Sequence, residues 1–255
     1  MHNSSTINDK EVEKFSKIAD QWWDINGKFK PLHKFNPVRL NYIIKTICKN
    51  FDREFDSLNS LQGITILDIG CGGGLLSVPL SRLGAKLTGI DAGNTNIETA
   101  KAYATKQELE IEYLNTTAEE LAKTSRTFDV VLNMEVIEHV DNVELLMSAS
   151  SELLKENGLM FVATLNRTLK SFLFGIVGAE YILRWLPKGT HNWNKFFKPY
   201  EINQFFERNG IKFEESTGIA YNPFSDNFFL SDDMKTNYIM VGKKLQVIGD
   251  VEVRR

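Results

Sequence analysis

A chain of 255 residues, 42% hydrophobic and 11% aromatic, has the material for one sizeable core, and its length argues for a single domain with embellishments. A formal net charge of −3, with no long run of basic residues, excludes the global positive field that a nucleic-acid backbone demands. Cys48 and Cys71 are too few for a disulfide framework or a cysteine zinc site and fit a reducing cytoplasm, and the polar start from Met1 to Lys10 lacks the apolar stretch of a signal peptide.

In chain order, residues 1–60 read as a helical cap. Glu11 to Trp22 carries Val12, Phe15, Ile18 and Ala19 at helical spacing, and Val38 to Phe51 carries Leu40, Ile43, Ile44 and Ile47. Between them Trp22-Trp23-Asp24, Phe29-Lys30-Pro31-Leu32-His33 and Asn36-Pro37 read as a loop dense in aromatics and breakers. From Ile64 onward strands and helices alternate: strand 64–69, helix 75–83, strand 86–90, helix 94–106, strands 111–114 and 128–133, helix 142–155 and strand 159–164. Helix 199–209 and strands 211–217 and 237–243 follow. The rhythm predicts an α/β fold, a Rossmann-like seven-stranded, mostly parallel sheet with helices on both faces. There is no internal repeat and no low-complexity tract.

Residues 166–198 interrupt that rhythm. Ser171 to Leu186 is apolar but contains Glu180 and Arg184, too short and too charged to span a bilayer. It reads as a lid over a substrate channel or a segment that dips into a membrane interface with Arg167, Lys170 and Lys188 near anionic headgroups; the two readings are compatible.

The strand Ile64 to Ile69 runs straight into Gly70-Cys71-Gly72-Gly73-Gly74, a G-x-G-x-G turn that lets the backbone approach a ligand closely. The following helix offers its free N–H groups to that ligand. After the next strand, Asp91 is placed to accept hydrogen bonds from the hydroxyls of a ribose. A dinucleotide loop would put its third glycine at Leu75, and no G-K-[ST] follows to cradle a triphosphate. The segment resembles motif I of the class I S-adenosylmethionine (SAM)-dependent methyltransferases. Gly73 reads either as part of that ligand approach or as a turn residue only.

The strand from Phe128 to Asn133 ends in Met134-Glu135-Val136-Ile137-Glu138-His139, at the sheet edge where α/β proteins bind ligands. The [ND]-P-P-[YF] motif that grips a planar nitrogen in amide and base methyltransferases is replaced by Asn133-Met134-Glu135-Val136. Glu135, Glu138 and His139 instead place two carboxylates and an imidazole within one turn, suited to a hard cation such as Mg²⁺ or to a substrate hydroxyl. A phenol, with a pKa near 10, needs a base or a metal to ionise at neutral pH. His33 and His191 lie in cap and lid segments and are weaker base candidates, and His2 stands in the terminal stretch.

Taken with Trp22-Trp23-Asp24, Phe29 to His33, Asn36-Pro37-Val38-Arg39-Leu40, Thr164-Leu-Asn-Arg167, Val177 to Arg184 and Pro187 to His191, these motifs make the chain, from about residue 11 to 243, similar to the ubiquinone biosynthesis O-methyltransferase family. The resemblance implies O-methylation of two polyprenylated phenolic intermediates, 2-polyprenyl-6-hydroxyphenol and 3-demethylubiquinol. It implies SAM contacts at Arg39, Gly70, Asp91 and Met134, with Glu135, Glu138 and His139 catalytic and, in metal-dependent relatives, holding Mg²⁺. It also implies an antiparallel last strand, and a quinone-biosynthesis assembly is the candidate partner. From the residues themselves come the expectations of peripheral contact with the inner face of a membrane through 166–198, of no nucleic acid, and of a cytoplasmic location. The chain departs from the family at Asp91-Ala-Gly-Asn, where many relatives have a bulkier residue after the acid, and in the polar tail from Lys244 to Arg255. Rival readings are O-methylation of another small phenol, a SAM- or lipid-binding scaffold without catalysis, and, more distantly, a nicotinamide-dependent reductase.

Overall fold

The computed structural model describes residues 5–171 and 193–246. Most of the 166–198 insertion, including its apolar run, lies outside the described residues, as do His2, His191 and the tail from 247. Eight strands form one sheet: β1 (Thr65–Ile69), β2 (Lys86–Asp91), β3 (Glu112–Asn115), β4 (Phe128–Met134), β5 (Leu154–Leu165), β6 (Ile211–Asn222), β7 (Asn227–Ser231) and β8 (Asn237–Lys244). Their order is β3-β2-β1-β4-β5-β8-β6-β7. The first five run parallel, and β8 enters antiparallel between β5 and β6, as the resemblance implied.

The central strands are short and apolar because both their faces are covered. Successive residues alternate between two cores: Ile66, Val130 and Phe161 pack on one face, and Leu67, Val131 and Met160 on the other. Helices α1 (Asp9–Ser16), α2 (Lys30–Asn50), α3 (Ser77–Arg82), α4 (Asn94–Lys106), α5 (Ala118–Ala122), α6 (Val143–Glu152), the single turn α7 (Leu169–Ser171) and α8 (Pro199–Arg208) supply the remaining elements. None of the described helices is long and apolar enough to cross a membrane.

Several elements differ from the sequence-based expectation, among them α5, which the sequence reading left unassigned. The supposed loop from Phe29 to Pro37 is the first part of α2, which carries Pro31 in its opening turn and Pro37 in its interior. Proline at the start of a helix costs little, whereas an interior one removes a hydrogen bond. Here burial of Phe35, Asn36 and Arg39 offsets that loss, and Asn36 Nδ2 donates to the Leu75 carbonyl at 3.3 Å. The first predicted helix breaks after Ser16 and continues as a 3₁₀ turn, Ala19–Gln21. The eighth strand, β7, arises because β6 continues past residue 217 and folds back, pairing Asn222 with Asn227 and Gly218 with Ser231. Its sequence, Asn-Phe-Phe-Leu-Ser, has no alternation to mark it as a strand.

The chain order places a crevice at the carboxyl ends of β1 and β4, where successive connections leave to opposite sides. Over it lies the cap. Trp22 is 8% exposed, stacks on Phe29 with ring centroids 3.7 Å apart and donates from Nε1 to Asn96 Oδ1 at 2.9 Å. Trp23 stacks on Tyr103 of α4 at 3.4 Å and donates to the Gly73 carbonyl at 2.8 Å. His33 Nε2 lies 2.9 Å from the Trp22 carbonyl and helps hold this segment.

Because Trp22 joins cap to sheet edge, Trp22→Ala is expected to destabilise the protein by about 3 kcal/mol, the usual scale for emptying a large aromatic site. Urea unfolding measures that loss, and limited proteolysis should cut the variant before residue 30. A cap that resists protease as the parent does would show that Trp23 and α1 suffice to hold it.

Candidate active site

The site begins where β1 ends. Gly70 has a φ of 66°, and a Cβ there would lie 2.6 Å from Val136 Cγ2; Gly72, at 53°, would bring one to 2.4 Å from the Trp22 ring. The loop therefore takes a left-handed path that side chains resist, in a gap that side chains would close. Gly73 packs beneath Trp22, so its part in the loop is to admit the cap. A cavity of about 270 Å³ opens beside this loop, roofed by cap residues including Thr6, Glu11, Phe15 and Trp22.

Asp91, the last residue of β2, faces that cavity. Its Oδ1 accepts from the Gly93 N–H at 2.7 Å and from Asn96 Nδ2 at 3.0 Å, and its Oδ2 accepts from the Gly72 N–H at 3.0 Å. Burial raises its pKa, and these donors act against that rise. A carboxylate has roughly four lone-pair sites, so a ribose hydroxyl can take the one left on Oδ2. A second bond, as the sequence reading expected, requires Asn96 or Gly93 to yield.

Arg39 reaches the cavity from α2 and is 3% exposed. Its Nη2 donates to Asn36 Oδ1, its Nη1 lies 3.9 Å from Glu135 Oε1, and its guanidinium sits 4.5 Å over the Phe35 ring. Its Nε is buried without a partner. Burial disfavours the cation, while Glu135, Asp68 and Glu138 favour it. Asp68, 2% exposed, accepts from Ser77 Oγ at 2.6 Å; burial pushes its pKa up to about 6, against the pull of Ser77 and Arg39. Met134 ends β4 at 7% exposure and adds apolar surface to the same wall.

Beyond Met134 the chain turns sharply. Glu135 has a φ of 58°, a left-handed conformation costing about 1–2 kcal/mol for a residue with a side chain. It is held by its N–H to the Ala163 carbonyl at 2.9 Å and by Asn237 Nδ2, which donates to Oε1 at 3.0 Å. Glu138 begins the way out of that turn, 4% exposed. Its Oε2 accepts from Thr164 Oγ1 at 3.0 Å, and its Oε1 has no partner. Burial raises its pKa well above the carboxylate range, and the neighbouring Glu135 raises it further. His139 Nδ1 lies 2.9 Å from Glu11 Oε2 on α1, with its ring edge-on to Phe15 at 5.2 Å.

Arg39, Gly70, Asp91, Met134, Glu135, Glu138 and His139 thus all line one cavity. The expected metal set is not assembled in this arrangement: among the described residues no three His, Cys, Asp or Glu side chains are grouped to hold an ion. Glu135 and Glu138 are neighbours, but His139 is engaged by Glu11. Sequence reasoning did not single out Asp68, Asn96, Asn237 or Glu11 as site residues. Asp68 carried a signal, as the acid opening the glycine loop; the others reach the site through contacts 74 or more residues apart or, for Asn96, through a side chain facing back to Asp91.

A methyltransferase domain family matches residues 40–216. The ubiquinone biosynthesis O-methyltransferase of Bartonella bacilliformis is 53% identical over 242 residues, covering 95% of this chain and 98% of its own. The enzyme of that name from Brucella ovis is 51% identical over 240 residues, covering 94% and 97%. Among solved structures, the magnesium protoporphyrin IX methyltransferase of Synechocystis with bound SAM superposes with a TM-score of 0.61 at 15% identity, over 95% of this chain and 99% of that one, and shows the shared fold.

Two outcomes follow for SAM binding. Asp68 titrates near 6 in the free protein, and its ionised form favours a ligand bearing sulfonium and ammonium charges. Affinity should therefore rise with pH up to about 6, by as much as tenfold per unit, and be flat above. Calorimetry between pH 5 and 8 measures this, and Asp68→Asn should flatten the profile. Arg39→Ala should weaken SAM binding by about 10- to 100-fold, the scale of a lost charged hydrogen bond; unchanged affinity would place the SAM carboxylate elsewhere.

Proposed function

The chain belongs to the ubiquinone biosynthesis O-methyltransferase family, and on that premise we propose how it transfers the methyl group of SAM to phenolic hydroxyls of polyprenylated intermediates. The protein is a SAM-dependent O-methyltransferase of ubiquinone biosynthesis; its two acceptors in this reading are 2-polyprenyl-6-hydroxyphenol and 3-demethylubiquinol. The observation that carries the reading is the shared cavity. The turn holding Glu135, Glu138 and His139 opens onto the same space as the glycine loop and Asp91.

Asp91 holds the ribose, Gly70 and Gly72 let the backbone approach the methionine part, and Arg39 pairs with its carboxylate. Met134 places a polarizable surface beside the sulfonium. The sulfonium supplies the electrophile, so the protein mainly aligns oxygen, methyl carbon and sulfur at about 3 Å. Both acceptors carry neighbouring ring oxygens. Glu138, its Oε1 unpartnered and its pKa raised by burial, donates a hydrogen bond to the oxygen that does not react. His139 accepts the proton of the one that does. The methyl then moves to oxygen and S-adenosylhomocysteine leaves. Since the three expected ligands are not grouped around a common point, no step is routed through magnesium.

In this reading the long tail is met by 166–198, a segment suited by composition to apolar contact. The polyprenylated substrate, the membrane's inner face contacted through this insertion, and a quinone-biosynthesis assembly are the partners in this reading.

The test is methyl transfer from labelled SAM to a reduced demethylubiquinone analogue, with label read on the quinol oxygen. Glu138→Gln and His139→Ala should each lower turnover by about 100-fold, the scale of a general acid–base group, while calorimetric SAM affinity persists. Wild-type turnover in either variant removes that residue from the mechanism, and SAM binding without transfer to any phenol favours the scaffold reading.

A further inference from the structure

The segment ahead of α1 is tied into the cavity wall by polar contacts that methyl transfer itself does not use. Thr6 is 5% exposed. Its N–H donates to Glu119 Oε1 at 2.9 Å, and its hydroxyl donates to Oε2 of the same carboxylate at 2.9 Å. Its carbonyl accepts from the Asp141 N–H at 3.1 Å. Asn8 adds a bond from Nδ2 to Asp141 Oδ1 at 2.5 Å, and it caps α1 by accepting from the Glu11 N–H at 3.1 Å. Ile7, between them, is 39% exposed, so apolar burial is not what holds this strap. It is pinned by Glu119 in α5, which follows β3, and by Asp141, which follows β4 and precedes α6.

Along the sheet edge the strands run β4, β1, β2, β3, and neighbours stand about 4.8 Å apart. The cavity therefore passes from Met134 and Glu135 across Gly70 to Asp91, and on to Thr116 and Thr117 beyond β3. With the SAM carboxylate at Arg39, beside Glu135, and the ribose at Asp91, the adenine falls on the far side of the ribose, toward the segment after β3. That end of the cavity is bounded by Ala92, Thr116, Thr117 and Ala118 and by Thr6 and Ile7 of the strap. Glu119 and Asp141 stand behind this wall and do not line the cavity themselves.

We propose that Thr6 and Ile7 form the outer wall of an adenosine subsite, with Glu119 and Asp141 as its positioning residues, so that the nucleoside enters and leaves when this latch is released. The inference rests on the SAM assignment and is independent of which phenol accepts the methyl group. Because Asn8 both binds Asp141 and caps α1, release of the strap also frees the start of the helix that carries Val12 and Phe15 over the cavity. Glu119 accepts from both the backbone and the side chain of Thr6, so one carboxylate outside the cavity governs how fast S-adenosylhomocysteine is lost.

The test measures the dissociation rates of labelled S-adenosylhomocysteine and labelled methylthioadenosine from the full-length protein. The second ligand keeps the adenosine but lacks the carboxylate that meets Arg39. Glu119→Ala should raise both rates by at least about tenfold, the scale of a lost charged hydrogen bond, and by the same factor for each ligand. Thr6→Val keeps the shape and the backbone N–H while removing the hydroxyl, and should raise both rates by about threefold. Adding it to Glu119→Ala should change nothing further, because both substitutions break one contact. Parental rates in these variants overturn the proposal, and if Glu119→Ala fails to fold, Thr6→Val decides alone. Factors that multiply in the double variant also overturn it, since the two residues would then act independently. So does an effect on S-adenosylhomocysteine alone, or a parent protein that binds it but not methylthioadenosine, because the strap would then serve the amino-acid end. If the parent protein binds neither nucleoside, the SAM assignment itself fails and the subsite falls with it.

Discussion

The line of hydrogen bonds from Trp22 through Asn96 to Asp91 is the constraint on which the site depends. Trp22 donates to Asn96, and Asn96 donates to Asp91, so one amide side chain couples the position of the cap to the acid that faces the cavity. Asp91 in turn accepts from Gly72, whose left-handed backbone leaves the gap that the Trp22 ring fills. The circuit closes on itself. None of its members can shift alone without leaving a buried donor or acceptor unsatisfied, which costs more than an ordinary hydrogen bond contributes.

Charge balance around this circuit is uneven. Arg39 is the cation facing Asp68, Glu135 and Glu138, and burial raises the pKa values of Asp68, Asp91 and Glu138. Such a cavity favours a cationic occupant. SAM brings a sulfonium and an ammonium, whereas the product retains only the ammonium, so methyl transfer removes one of the charges the carboxylates attract. The electrostatics that draw the cofactor in therefore weaken once the reaction is complete.

The parallel half of the sheet was legible because strands buried on both faces must be short continuous apolar runs, as at Ile66 to Ile69 and Val130 to Leu132. The glycine loop was legible because a left-handed turn packed against Val136 and Trp22 restricts residue type. The start of α2 was not, because Pro31 and Pro37 are local breakers and only tertiary burial of Phe35 and Arg39 outweighs them. Glu11 was read only as the start of a cap helix; its place beside His139 comes from a contact across 128 residues, which no local pattern encodes. Asn237 came into the site in the same way, from a strand at the far end of the chain.

Glu135 stands in a backbone conformation that glycine would adopt without strain. A chain selected only for heat tolerance would gain from Glu135→Gly, which relaxes the turn at the end of β4. It would lose the carboxylate that faces Arg39 and Asn237. The turn is thus a point where backbone comfort and the cavity's charge are in competition, and relaxing it would leave Arg39 with one carboxylate fewer.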